Sequence, residues 1–197
     1  MTVHELTEVE RKDYFCADLR IPHRFRAGLG ALVGSGYDRG HLVASADKDL
    51  LHIQNSETFL LSNMSPQVPG FNRGVWKRLE AAIRKMDQDP DIFETYVLTA
   101  PVFYFGKVIE TIGSEKEEYG IDVPVPHAFI KSVLTEDKRG RLSLRTFELK
   151  NEALDGELED YLVVSYDAEQ LIGGRFWDRV AGGDLDADKR QRDKIWS

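Results

Sequence analysis

The sequence predicts an α+β domain with a mainly antiparallel central sheet flanked by helices, on three observations. In the segment 72–86, Val75, Trp76, Leu79, Ile83 and Met86 recur at helical spacing and would form one buried stripe. The second half instead carries short runs rich in β-branched and aromatic residues, at 96–99, 102–104, 128–134, 142–147 and 161–166. A chain of 197 residues with 42% hydrophobic content is long enough for one substantial core. The expected organisation is one domain over 1–183 and a charged tail, 184–197, read as solvated helix or disorder.

In chain order, the charged residues 5–13 would form a strand end or short helix leading to Phe15. Pro22 suits the first turn of a helical or loop-like segment, 21–32. Glycines 34, 36 and 40 punctuate the approach to His41, where the chain must present a side chain sharply. Residues 58–62 read as a short strand. Asn72 is a good N-cap for the helix that follows. Pro101 should break the next strand region into two pieces.

Composition narrows the setting. Cys16 is the only cysteine, which excludes an intramolecular disulfide and a cysteine-rich zinc site. No apolar run spans a membrane and no signal-peptide pattern opens the chain, so compartment stays open between cytosolic, trimmed secreted and organellar settings. The net charge of −8 opposes contact with a polyanion. Acids and bases balance over the first ninety residues, however, and the acidic excess lies wholly beyond them. A locally basic cleft on an acidic body is the reading adopted.

The chemistry concentrates in three ordered motifs: Asp38-Arg39-Gly40-His41, Ser62-Asn63-Met64-Ser65-Pro66-Gln67, and Asn72 followed eight residues later by Glu80. A histidine can take a proton, an arginine can hold an anion, and an amide and a carboxylate can serve a hard cation. On an ideal helix Asn72 and Glu80 lie within about 80° of each other and ~12 Å apart along the axis. That gap favours Asn72 as a direct metal ligand and Glu80 as one acting through water. Mg²⁺ suits such a site, since it prefers oxygen donors and retains several waters; zinc would want more His, Cys or carboxylate ligands.

These motifs resemble the DNA/RNA non-specific endonucleases, a family of ββα-metal (His-Me finger) nucleases that includes endonuclease G. Weaker echoes at Phe15-x-x-Asp18, Phe25-Arg26-Ala27, Leu98 to Phe103 and Asp160 to Val163 extend the likeness over roughly 11–182. The resemblance implies a ββα finger whose helix begins near Asn72. It makes His41 the general base, with Arg39 and Arg11 holding phosphate oxygens and Lys12 competing with Arg11. Asn63 would orient His41 or the metal waters, and Glu80 would reach the ion through water. The expected cofactor is Mg²⁺, with Mn²⁺ or another divalent ion as substitutes. The expected substrates are DNA and RNA, cut to 5′-phosphate and 3′-hydroxyl ends.

The same resemblance leaves room for a homodimer and for a protein inhibitor, and gives no role to a membrane. It also implies that a family segment ahead of Met1 is missing. Val43-Ala44-Ser45-Ala46 and Ala100 depart from the family pattern and bear on loop shape and packing. Two other readings of the same fold are an inactive nucleic-acid-binding module and a phosphodiesterase for a small or lipid substrate.

Overall fold

The computed structural model describes residues 14–48, 51–113, 121–180, 185–192 and 194–196. Its packing gives two units, one from the described residues of Met1–Gln67 and Glu110–Val125, the other from those of Val68–Ile109 and Pro126–Ser197.

The first unit centres on two short strands, β1 (Asp38–His41) and β2 (Met64–Gln67). They pair antiparallel from Asp38↔Gln67 to His41↔Met64. Gly36, at φ 87°, makes the turn into β1 in a region other residues enter only with strain. Short 3₁₀ turns at His23–Phe25 and Leu29–Leu32 precede it, the first capped by Pro22. A helix, α1 (His52–Glu57), and a 3₁₀ turn, Leu61–Asn63, separate the strands. Leu32, Leu61 and Met64 form a core with Phe15 and Ile112. Thr111–Ile112 and Val123–Pro124 add a two-residue ladder.

The strand expected at 58–62 is not one. Thr58 Oγ1 donates to Asn55 O and Phe59 N–H to Ser56 O, so α1 winds on through these residues. Leu60 makes only an isolated parallel bridge to Cys16, and the true strand begins at Met64.

The second unit is a four-stranded antiparallel sheet in the order β3 (Ile92–Val102), β4 (Ala128–Asp137), β5 (Leu142–Lys150), β6 (Leu162–Val163). Residues 128–135 of β4 are all buried, the signature of a strand covered on both faces. Phe129 stacks on Phe71 and meets Trp76 on one face. On the other, Ala128 and Ile130 pack with Ala168 and Phe176. Residue Ala168 belongs to α3 (Ser165–Ile172).

Pro101 does not break its strand. It pairs with Phe129 inside a continuous β3, whose only partner among the described residues is β4. An edge position spares proline the ladder donor it lacks.

The helix of the second unit also begins earlier than its N-cap signal suggests. Pro69–Phe71 is its first turn, and Asn72 N–H already donates to Val68 O. Asn72–Trp76 then forms a wide π turn, interrupted by Gly74 at φ −101°, ψ −109°, before the regular helix α2 (Lys77–Asp87). Asn72 is therefore inside the helical run, and the ideal-helix estimate of its position against Glu80 does not carry over. The predicted stripe is buried throughout: Val75 0%, Trp76 1%, Leu79 0%, Ile83 5% and Met86 8% exposed.

The described residues of the charged tail include a short helix, one of the two alternatives expected, and it is packed instead of solvated. Leu185 of α4 (Leu185–Asp188) packs with Leu134 and Leu144. Lys189 pairs with Glu169 at 2.8 Å, both nearly buried. The Trp196 indole N–H donates to Ala82 O and its ring meets Phe147 edge-on.

Candidate active-site residues

Arg39 and His41 alternate on β1 and so project from the same face of the strand. His41 has an aromatic wall: Phe59 meets its ring edge-on at 5.1 Å, and Phe15 lies tilted at 6.1 Å. Phe59 is fully buried, so it fixes one side of the imidazole. The Arg39 guanidinium carbon stands 4.8 Å over the Phe15 ring. Its Nε is buried and has no hydrogen-bond partner among the described residues. A cation so placed is suited to an anionic oxygen.

Asn63 braces the backbone that follows His41. Its amide N–H groups donate to Val43 O and Thr58 O, and its Oδ1 accepts from Val43 N–H, all within 3.0 Å. Leu42 N–H donates in turn to Asn63 O at 2.9 Å. These bonds make Asn63 a support for the end of β1. Beside it opens a cleft of about 410 Å³ whose lining includes Arg20, Val43, Lys48 and Asn63.

The serine of the second motif has a separate task. Ser62 Oγ donates to Asp18 at 2.6 Å, and Arg20 grips the same carboxylate through its backbone N–H, Nε and Nη2. The Arg20 guanidinium, and then the Ser62 hydroxyl, hold the Asp18 carboxyl well below the ordinary carboxylate range.

Gln67 is the residue that sequence reasoning passed over. It is 0% exposed, and neither its Nε2 nor its Oε1 has a hydrogen-bond partner among the described residues. Its side chain lies across Gly40: a Cβ there would stand 2.1 Å from Gln67 Cδ and Oε1. The glycine between Arg39 and His41 is thus required by close approach. The available signal was its place as the last residue of the second motif.

Asn72, Trp76 and Glu80 belong to the second unit. Glu80 Oε1 lies 4.0 Å from Lys131 Nζ, with side-chain exposures of 14% and 2%. The same ammonium sits 4.3 Å over the Trp76 ring. Trp76 is core, as its spacing suggested. The oxygen donors here are an amide and a carboxylate, which fit a hard cation that keeps most of its waters. Among the described residues no group of three or more His, Cys, Asp or Glu could hold a metal ion. Arg11 and Lys12, expected to hold phosphate, lie outside the described residues.

The chain is also similar to known proteins. A family model described as DNA/RNA non-specific endonuclease matches residues 2–182. A nuclease of Syncephalastrum racemosum is 37% identical over 182 residues, covering 86% of this chain and 56% of its own. Mitochondrial endonuclease G of Homo sapiens is 34% identical over 146 residues, covering 71% and 48%. A crystal structure of an EndoG/EndoGI complex, which addresses the mechanism of EndoG inhibition, aligns with a TM-score of 0.80 and 32% identity. It covers 89% of this chain and 73% of that one. The chain thus spans about half the length of several curated relatives it matches.

Proposed function

The chain belongs to the DNA/RNA non-specific endonuclease family, and from that premise we propose that it is a divalent-metal-dependent endonuclease hydrolysing phosphodiester bonds of DNA and RNA. The observation that carries this reading is the order and identity of Arg39, His41, Asn72 and Glu80 within a family match running through both units. The same match supports one endonuclease domain over 1–183.

His41 takes a proton from the attacking water. A neutral imidazole is available near neutral pH, its ordinary pKa being about 6.5. Phe59 and Phe15 limit how the ring can turn. Arg39 holds a phosphate oxygen with a guanidinium already placed by Phe15. Asn63 keeps the end of β1 from moving under the base. Asn72 would hold the cation directly and Glu80 would hold its waters. Held there, an ion would supply Lewis-acid polarisation of the phosphate and charge stabilisation at the departing 3′-oxygen. Mg²⁺ is the ion proposed.

The sequence carries no helix-turn-helix, zinc-finger or RNA-recognition signature, and phosphate contacts carry no sequence information. Broad cleavage, single- or double-stranded, follows. The EndoG relative is solved with its inhibitor EndoGI, and a protein inhibitor for this chain is proposed on that likeness.

The test is digestion of plasmid DNA and ribosomal RNA by wild type and His41→Ala, with Mg²⁺ and with EDTA. Both substrates should be degraded only by wild type with metal. Binding without cleavage by wild type would replace this reading with that of a nucleic-acid-binding module.

A further inference from the structure

Phe105 is 107% exposed, the most of any aromatic side chain among the described residues, and Val108 follows at 92%. Both lie on the loop that leaves β3, and that loop is tied down closely. Lys107 N–H donates to Tyr104 O at 3.2 Å, closing a turn with Phe105 and Gly106 at its corners. One imidazole then fixes the loop at two points: His127 Nδ1 accepts from Tyr104 N–H, and His127 Nε2 pairs with Val108 O, each at 3.1 Å. The Tyr104 ring stacks on His127, its hydroxyl donates to Glu148 at 2.6 Å, and the Lys107 ammonium stands 4.8 Å over the same ring. A side chain carried on so constrained a turn loses little freedom when it meets a ligand.

Hydrogen bonds also tie the loop to the turn that carries Asn72. His127 O accepts from Asn151 N–H, Asn151 Oδ1 from Val68 N–H, and Val68 O from Asn72 N–H, all at 2.9 Å. Val102, the last residue of β3, pairs with Ala128 at the start of β4, next to His127. Phe105 and Asn72 thus hang from one end of the sheet.

From this arrangement we propose that Phe105 is a stacking platform for an unpaired base, with Lys107 beside it for the adjoining phosphate; the proposal rests on the nucleic-acid substrate assigned above. Aromatic rings for bases and cations for the backbone are how single strands are generally held. A base in a duplex has both faces covered by its neighbours, so a ring on a turn reaches only an unpaired one. Phe105 therefore sets a preference for single strands on a centre whose other proposed contacts go to phosphate. A protein partner fits less well. An aromatic side chain buries about 150–250 Å², so Phe105 with Val108 falls short of the roughly 800 Å² that each side of a stable interface supplies.

The probes are fluorescein-labelled oligothymidylate, its duplex with oligoadenylate, and a deoxyribose-phosphate oligomer of the same length without bases. Each is titrated in EDTA, so that no cleavage intervenes. Phe105→Ala removes a ring that stands in solvent and should melt as wild type does. It should weaken binding of the single strand by about tenfold, within the range that one stacked base contributes. The duplex and the abasic oligomer should bind as before, and Phe105→Trp should restore affinity for the single strand. With Mg²⁺ present, the same loss should appear in KM for single-stranded DNA and not in kcat.

Equal affinity of wild type and Phe105→Ala for the single strand overturns the proposal, as does an equal loss on all three probes. Self-association that Phe105→Ala abolishes, with nucleic-acid affinity untouched, would overturn it in favour of a second copy of the chain. Wild type that binds the single strand through Phe105 yet cleaves nothing would strike the proposed function and leave the platform standing.

Discussion

Gly40→Ala replaces one hydrogen by a methyl group in a strand with no backbone reason to refuse it, so its effect isolates one steric contact. The new Cβ would stand 2.1 Å from Gln67 Cδ and Oε1 and 2.4 Å from Cγ. Gln67 is 0% exposed and cannot swing into solvent to make way. Overpacking of a buried site costs about 1–3 kcal/mol, and contacts this short belong near the upper end. Replacing glycine by alanine returns roughly 0.5–1 kcal/mol of chain entropy. The net expectation is a loss of about 2 kcal/mol, or on the order of 4–8 °C in Tm for a chain of this size.

The assay is urea denaturation of wild type, Gly40→Ala, Gln67→Ala and the double variant. In the double variant the alanine methyl occupies space the amide has left. The two substitutions should therefore couple by at least about 1 kcal/mol. A Gly40→Ala midpoint equivalent to wild type within about 0.5 kcal/mol, or strictly additive losses, would refute the contact as the reason for the glycine.

Asp18 should make stability fall with acid. Its folded pKa is depressed by Arg20 and Ser62, so its contribution is complete above the free carboxylate value near about 3.9 and disappears as pH falls below it. Urea midpoints from neutral pH down to about 3 should fall less steeply for Asp18→Asn than for wild type, and parallel curves would show that the carboxylate is not the responsible group. Phe59→Ala removes a 0% exposed ring from beside His41. It should cost about 3–5 kcal/mol in urea denaturation, and a loss under about 1 would mean the site collapses around the gap. Lys189→Met leaves the buried Glu169 without its cation and should cost about 3–5 kcal/mol by the same measurement, with Glu169→Gln in the same chain recovering part of it.

Local pattern carried the buried stripe from Val75 to Met86 because every one of those side chains meets the core within a turn or two of its neighbours. The motif residues were legible for the same reason that they are few: Arg39 and His41 need only β1 to share a face. What escaped depends on partners far along the chain. Pro101 is tolerated because β3 is an edge, a property of sheet order and not of the proline. Residues 58–62 have strand composition, but the hydrogen bonds of Thr58 and Phe59 go back to α1. The tail reads as solvated until Lys189 finds Glu169 and Trp196 finds Ala82. Lys131 lies in a run read simply as strand, and its burial beside Trp76 and Glu80 depends on a helix fifty residues away in the chain.

The wide turn at Asn72–Trp76 has a consequence for how this segment can tolerate insertion and deletion. A π turn holds one residue more than an α turn, so what precedes it is rotated by about 100° relative to an uninterrupted helix. Deleting Gly74 would leave a continuous helix with Leu79, Ile83 and Met86 undisturbed and Asn72 on the side it already occupies, because seven α residues turn through about the same angle as eight that include one π turn. Keeping Gly74 while closing the wide turn into an ordinary helix is the change that would swing Asn72, by about 100°. The wide turn thus absorbs one residue without disturbing the faces on either side of it.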